Sequence, residues 1–454
     1  MTPFSSSDSK DPFSAPNLDS VRSEMSRLKL VLRALHHRNF RLFIAGQLIS
    51  LIGTWMQSIA QSWLVYRLTG SALLLGSVGF AGQIPVFLLA AIGGTVADRY
   101  SRHRVVIGTQ TASMVLAFIL AVLTLTGRIQ VWQIFVLSAL LGVVNAFDIP
   151  TWQAFIVELV GKEDLMNAIA LNSSMFNGAR IVGPAISGVL VASIGEGWCF
   201  FANGVSYVAV IVGLLLMKVQ AIHRPARFGS LLHHILEGFR FVRRANPIRA
   251  LLYLLGLVSL VGMPYAVLMP IFADKILHGG ARGLGILMGA TGVGALLGAL
   301  SLAARSGLQG LGRWVGYSCA GFGLSLILFA LSRSFWLSVA FLLPAGFSMM
   351  VQMASSNTLV QAMAPDQLRG RVMAVYSMMF MGMVPFGAFF AGLLAEKLGA
   401  PLTVALGALG CLVGSAVFLL RLPGLRAEAR QLIVAQGVTT GSRPDEVPAR
   451  TIPS

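Results

Sequence analysis

A chain of 454 residues with 56% hydrophobic and only 11% charged side chains, and a mean hydropathy of +0.77, is not a soluble globular protein, which carries about 25% charge. Its formal charge of +17 would suit a nucleic-acid partner, but the basic residues are spread over alternating loops, so no such partner is implied. Cys199, Cys319 and Cys411 all fall within or at the ends of apolar runs, which excludes a disulfide framework.

Windows of about 20 apolar residues predict twelve spans, near 40–66, 72–96, 105–126, 130–157, 169–194, 198–217, 249–273, 283–304, 314–332, 335–362, 373–395 and 400–420. Runs this long without period-2 alternation are helices, not barrel strands. The first twenty residues are polar, carry no cleavable signal and read as disordered, whereas 21–41 is basic with interleaved Leu and reads either as an interfacial helix or as a basic tail. The organisation expected is a tail at 1–39, a six-helix bundle at 40–217, a linker at 218–248, a second bundle at 249–420 and a tail at 421–454. Fifteen Lys and Arg in one alternating set of loops against six in the other place both termini in the cytoplasm of a cell inner-membrane protein.

On span 1, Gln47, Ser50, Thr54, Gln57 and Gln61 form one helical stripe that must face protein or water, as a cavity wall or a helix–helix seam. After span 2 comes GGTVADRYSRHRVV, with Gly94, Asp98, Arg99, Arg102 and Arg104. Gly94 permits close helix approach, and Asp98 can cap or pair at a neighbouring helix end across the seam between the halves. Asp148 is the one acid well inside a span, with Glu158 at the end of span 4 and Asn145 nearby. Arg180 is the one cation well inside a span, and it lies at a similar depth, about 13–17 Å from the helix ends at 1.5 Å per residue. The expected ion pair Asp148–Arg180, with Glu158 as the next candidate acid, is either structural or faces a wet cavity together with Asn177. Gly178, Gly183, Pro184 and Gly188 make span 5 a small-residue packing helix. In the second half, methionines cluster in spans 10 and 11 beside Gln352, Asn357 and Tyr376, as packing or as an adaptable binding surface.

The halves repeat. KEDLMNAIALNSS at 162–174 lies over PDQLRGRVMAVYS at 365–377, and SGVLVASIG at 187–195 lies over AGLLAEKLG at 391–399. The loop after span 2 resembles the signature of the major facilitator superfamily, with Ser101 in place of a usual Gly and His103 intervening before Arg104. The glycines and proline of span 5, read with NAFDIPTWQAF and LNSSMFNGAR, are similar to the bacterial drug:proton antiporter branch that includes the enterobactin exporter. Ala179 and Ser187 replace common glycines, Trp152 stands where relatives often carry Arg, and span 4 lacks an intramembrane Arg. The resemblance implies an all-α fold of two pseudo-symmetric six-helix bundles, working as a monomer by alternating access, without a cofactor. Its expected partners are a small amphipathic molecule, protons and the lipid bilayer, and its expected direction is export. An uptake symporter or passive facilitator of the same fold is the alternative. No phosphate-binding G-x-x-x-x-G-K-[ST] loop is present, and all seven histidines lie outside the predicted spans, which argues against a primary pump or a membrane enzyme.

Overall fold

The computed structural model describes residues 33–161, 163–218, 231–305 and 307–435. Expectations for 1–32, 219–230 and 436–454, including most of the proposed interfacial helix, lie outside the described residues. Among the described residues, twelve helices are long and apolar enough to cross a bilayer: spans 1 to 6 at Arg38–Thr69, Ala72–Arg99, Arg102–Leu125, Val131–Val160, Leu165–Ile194 and Glu196–Leu215, and spans 7 to 12 at Asn246–Ile276, Gly280–Ala303, Leu311–Leu331, Phe335–Met363, Arg369–Leu398 and Ala400–Val434. Helices are forced here because hydrocarbon offers the backbone no hydrogen-bond partner. We call the end of the bundle that carries Arg38 and Val434 the terminal face, and the opposite end the distal face.

Two helices depart from the spans read in the sequence. Span 7 is irregular, with wide helical turns at Val258–Gly262 and Phe272–Ile276 around a tight turn at Met263–Ala266, because Pro264 and Pro270 cannot donate to the helical ladder. Span 12 does not give way to a tail at 421: the helix continues to Ala435. Leu422, Leu425, Ala429, Leu432 and Ile433 keep a helical apolar face packed on the second-half core, so Pro423 does not end it. Within the linker, Leu231–Arg244 forms an amphipathic helix lying on the start of span 11, where Glu237 pairs with Arg371 at 2.6 Å.

Packing between the halves is carried by spans 2 and 11 and by spans 5 and 8. At one crossing a Cβ on Gly285 would lie 2.8 Å from the Gly188 Cα and 2.6 Å from the Pro184 carbonyl oxygen. At the other, a Cβ on Gly76 would lie 3.0 Å from the Gly392 Cα and 2.4 Å from the Ala388 carbonyl oxygen. Gly188 and Gly392 are the aligned positions of the internal repeat, so the repeat has produced one backbone-to-backbone contact twice. Only glycine allows so close an approach.

Candidate functional site

Near their distal ends the halves are tied together. The Tyr66 hydroxyl donates to Asp274 at 2.8 Å, and Lys275 lies 5.9 Å from the Tyr66 ring centroid. Glu396 accepts from the Ser71 hydroxyl at 3.0 Å and from the Leu73 N–H at 3.1 Å. A carboxylate of one half therefore caps the first turn of span 2 in the other, where the helix dipole favours negative charge. Near the terminal face Arg102 pairs with Asp98 and Glu158, Arg371 with Glu237, and Arg369 with Asp366, each within its own half.

The loop 2–3 signature is a clamp inside the first half. Arg102 is 9% exposed and uses its whole fork: to the Ala97 carbonyl at 3.1 Å, the Ala154 carbonyl at 3.0 Å, Glu158 at 3.1 Å and Asp98 at 3.2 Å. A cation thus joins the last turns of spans 2 and 4, where it also opposes the negative helix ends. This corrects two expectations. Asp98 bonds to Arg102 four residues on, not across the seam, and Glu158 is engaged by Arg102, not by Arg180. Gly94 is corrected as well: a Cβ there would meet nothing within 4 Å, while its neighbour Gly93 is the residue pressed on the Ala146 carbonyl of span 4. Arg99 and Arg104 are exposed.

Between the clamp and the distal ties lies a cavity of about 400 Å³. Its polar wall belongs to the first half: Thr54, Gln57, Ser58, Gln61, Gln83, Ser138, Asn145, Asn203 and Tyr207, with the Trp55 ring. Facing it from the second half are Ala266, Val267, Met288, Val384 and Ala388, all apolar. Much of the polar wall is internally bonded. Asn203 donates to Gln57 at 2.7 Å, Gln61 donates to Ser138 at 2.8 Å, and the Thr54 and Tyr207 hydroxyls lie 3.4 Å apart. Of the expected cavity residues, Thr54, Gln57, Gln61 and Asn145 line this space. Gln47 and Ser50 are buried in helix packing. Gln352 and Tyr376 are buried in the second half, the latter donating to the Met353 carbonyl at 3.0 Å, and Asn357 bonds to Gln361. Asn177 bonds back to the Ser173 carbonyl of its own helix at 2.8 Å.

The expected Asp148–Arg180 pair is not formed in this conformation. Asp148 accepts from Thr109 and, through both oxygens at 3.1 and 3.2 Å, from Gln110 of span 3. Arg180 stands over the Trp55 ring of span 1, 5.9 Å from its centroid. The reason is packing: span 4 lies mainly against spans 2 and 3, and span 5 against spans 1 and 8. In the span 5 motif, Gly183 meets Trp55 and Ile52 of span 1, Gly188 and Pro184 meet span 8, and Gly178 faces open space. Sequence reasoning missed Trp55, Ser58, Gln83, Asn203, Tyr207, Tyr66, Asp274 and Glu396. Trp55 and Ser58 flank the span 1 stripe and could have been included with it, whereas Glu396 and Asp274 read as ordinary span-end charges.

Comparisons with known proteins agree with this geometry. The transmembrane secretion effector family of the major facilitator type matches residues 31–438. The chain is 26% identical over 360 residues to the staphyloferrin A transporter of Staphylococcus aureus (strain NCTC 8325 / PS 47), covering 79% of this chain and 89% of that one. It is 26% identical over 398 residues to the enterobactin exporter EntS of Shigella boydii serotype 4 (strain Sb227), covering 86% and 93%. The crystal structure of a bacterial homologue of the iron transporter ferroportin, in an inward-facing state, superposes with a TM-score of 0.65 at 17% identity, covering 84% of this chain and 98% of that one.

Proposed function

The chain belongs to the transmembrane secretion effector family of major facilitator transporters, and on that premise we propose that it is a secondary exporter of amphipathic small molecules, driven by proton exchange through alternating access. The loop charge asymmetry supports a cytoplasmic terminal face, so the tied distal face is the outer one and the conformation described is closed on that side. The observation that carries the reading is the cavity between the halves, with its polar side chains all on the first half and only apolar ones on the second, closed at one end by the tied distal helices. A two-faced lining suits a two-faced substrate. The enterobactin exporter among the relatives supports outward movement of a small molecule, and the staphyloferrin A transporter supports a small-molecule cargo.

Asp148 is the proposed proton carrier. It is the mid-span carboxylate of the first half, and its hydrogen bonds to Thr109 and Gln110 hold it against span 3. Cytoplasmic release of the proton and loading of the substrate then favour separation of the distal ends and closure of the terminal face. Accumulation of fluorescent amphiphiles in expressing and control cells, with and without a protonophore, tests this. Lower accumulation that the protonophore abolishes supports coupled export. Lower accumulation that survives uncoupling removes the proton from the mechanism, and higher accumulation reverses the direction.

A further inference from the structure

Arg180 sits halfway along span 5, the sixteenth residue of thirty, where an uncompensated cation is costly. Its guanidinium offers five N–H donors, yet among the described residues it makes no hydrogen bond and no ion pair. The acid at comparable depth, Asp148, is already held by Thr109 and Gln110. No acidic residue lines the neighbouring cavity. What surrounds Arg180 is aromatic. Its fork lies over the Trp55 ring, and Phe176, one turn earlier on span 5, meets that ring edge-on at 5.7 Å and is 43% exposed. Across the seam, a Cβ on Gly292 of span 8 would lie 3.1 Å from the Arg180 carbonyl oxygen. A bidentate donor over an aromatic face, at the junction of the two moving halves, is complementary to a planar organic anion.

We infer that Arg180, with Trp55 and Phe176, is an anion-selecting site of the transport pathway, so that the exported substrate carries a carboxylate or similarly delocalised anion beside a flat apolar group. The inference rests on reading the cavity as that pathway. Cationic amphiphiles are disfavoured because the site holds a fixed positive charge with no acid to offset it. Export of an anion is also aided by a membrane potential that is negative inside, which gives the site a consequence for energetics as well as selectivity.

The test uses two dyes with one xanthene skeleton and opposite charge, fluorescein and rhodamine 6G. Fluorescence anisotropy follows their binding to the full-length purified protein. Fluorescein is expected to bind the parent at least about tenfold more tightly than rhodamine, the discrimination a charge-assisted hydrogen-bond pair supplies. Arg180→Gln should weaken fluorescein by about the same factor and leave rhodamine unchanged or improved, while Arg180→Lys should keep the preference at reduced strength. Equal or tighter rhodamine binding by the parent overturns the inference, as does failure of the parent to bind fluorescein or unchanged fluorescein affinity in Arg180→Gln. The parent's own preference decides the matter even if the glutamine variant does not fold. In expressing cells, extrusion of rhodamine but not fluorescein removes the anion inference and leaves the exporter reading standing. Fluorescein binding without extrusion does the reverse.

Discussion

Leucine at Gly285 would place its Cβ 2.6 Å from the Pro184 carbonyl oxygen and 2.8 Å from the Gly188 Cα. Both obstacles are backbone, so neither can rotate away. Non-bonded carbon contacts settle near 3.5–4.0 Å, so spans 5 and 8 must part by about 1 Å or more before the rest of the side chain is placed. Overpacking of this kind costs about 1–3 kcal/mol, and here the cost falls on the distal-closed state alone, since the distal-open state separates these helices. The equilibrium should therefore move toward the distal-open state by a factor of roughly 5 to 150. A single reporter, Ser62→Cys, lies in the cavity wall, against a background in which Cys199, Cys319 and Cys411 are all buried. Labelling by an impermeant maleimide should rise from the distal side and fall from the terminal side in Gly285→Leu. Gly76→Leu, at the repeat-related crossing with Gly392, should behave alike. Gly94→Leu should not, because a Cβ at Gly94 meets nothing within 4 Å. If the two crossing variants fold and label like the parent, or if Gly94→Leu matches them, the glycine crossings do not hold the distal gate.

Further outcomes follow from the same contacts. Asp148→Asn should stop protonophore-sensitive efflux while costing only about 1 kcal/mol of stability, because Thr109 and Gln110 retain an acceptor; normal coupled efflux at equal expression would remove Asp148 from the mechanism. Arg102→Ala should lower the detergent unfolding temperature sharply, by the roughly 3–5 kcal/mol that breaking a buried pair costs, whereas Asp98→Asn, at a 72% exposed side chain, should cost no more than about 1 kcal/mol. Equal shifts in the two would show that the clamp is not centred on Arg102. Glu396→Ala removes the cross-half cap on span 2 and should weaken distal closure by about 0.5–2 kcal/mol, seen as increased distal labelling of the Ser62→Cys reporter; unchanged labelling would leave Glu396 a surface charge.

The helices were legible because a bilayer imposes a length and a composition that few other environments do, and the repeat was legible because Gly188 and Gly392 kept their register. The glycine crossings themselves could be named only once the helices were packed. Gly93 and Gly94 are indistinguishable in sequence, yet one presses on span 4 and the other meets nothing within 4 Å. The pairing of Asp148 with Arg180 failed for a related reason. Counting residues at 1.5 Å each gives depth but not azimuth, and these two side chains point toward different neighbours, span 3 and the Trp55 face of span 1. The distal ties through Tyr66, Asp274 and Glu396 depend on the docking of the two halves, which no local pattern encodes. Arg421 and Pro423 interrupt the hydropathy of span 12 just past 420, although its apolar face continues to Ile433.

Transport measured in membrane vesicles of known sidedness tests the exporter reading most directly. Everted vesicles carrying the chain, energised by respiration, should accumulate a fluorescent amphiphile, fluorescein being the first choice, and right-side-out vesicles should not. Accumulation in right-side-out vesicles instead, or equal dye movement with and without energisation, would contradict it.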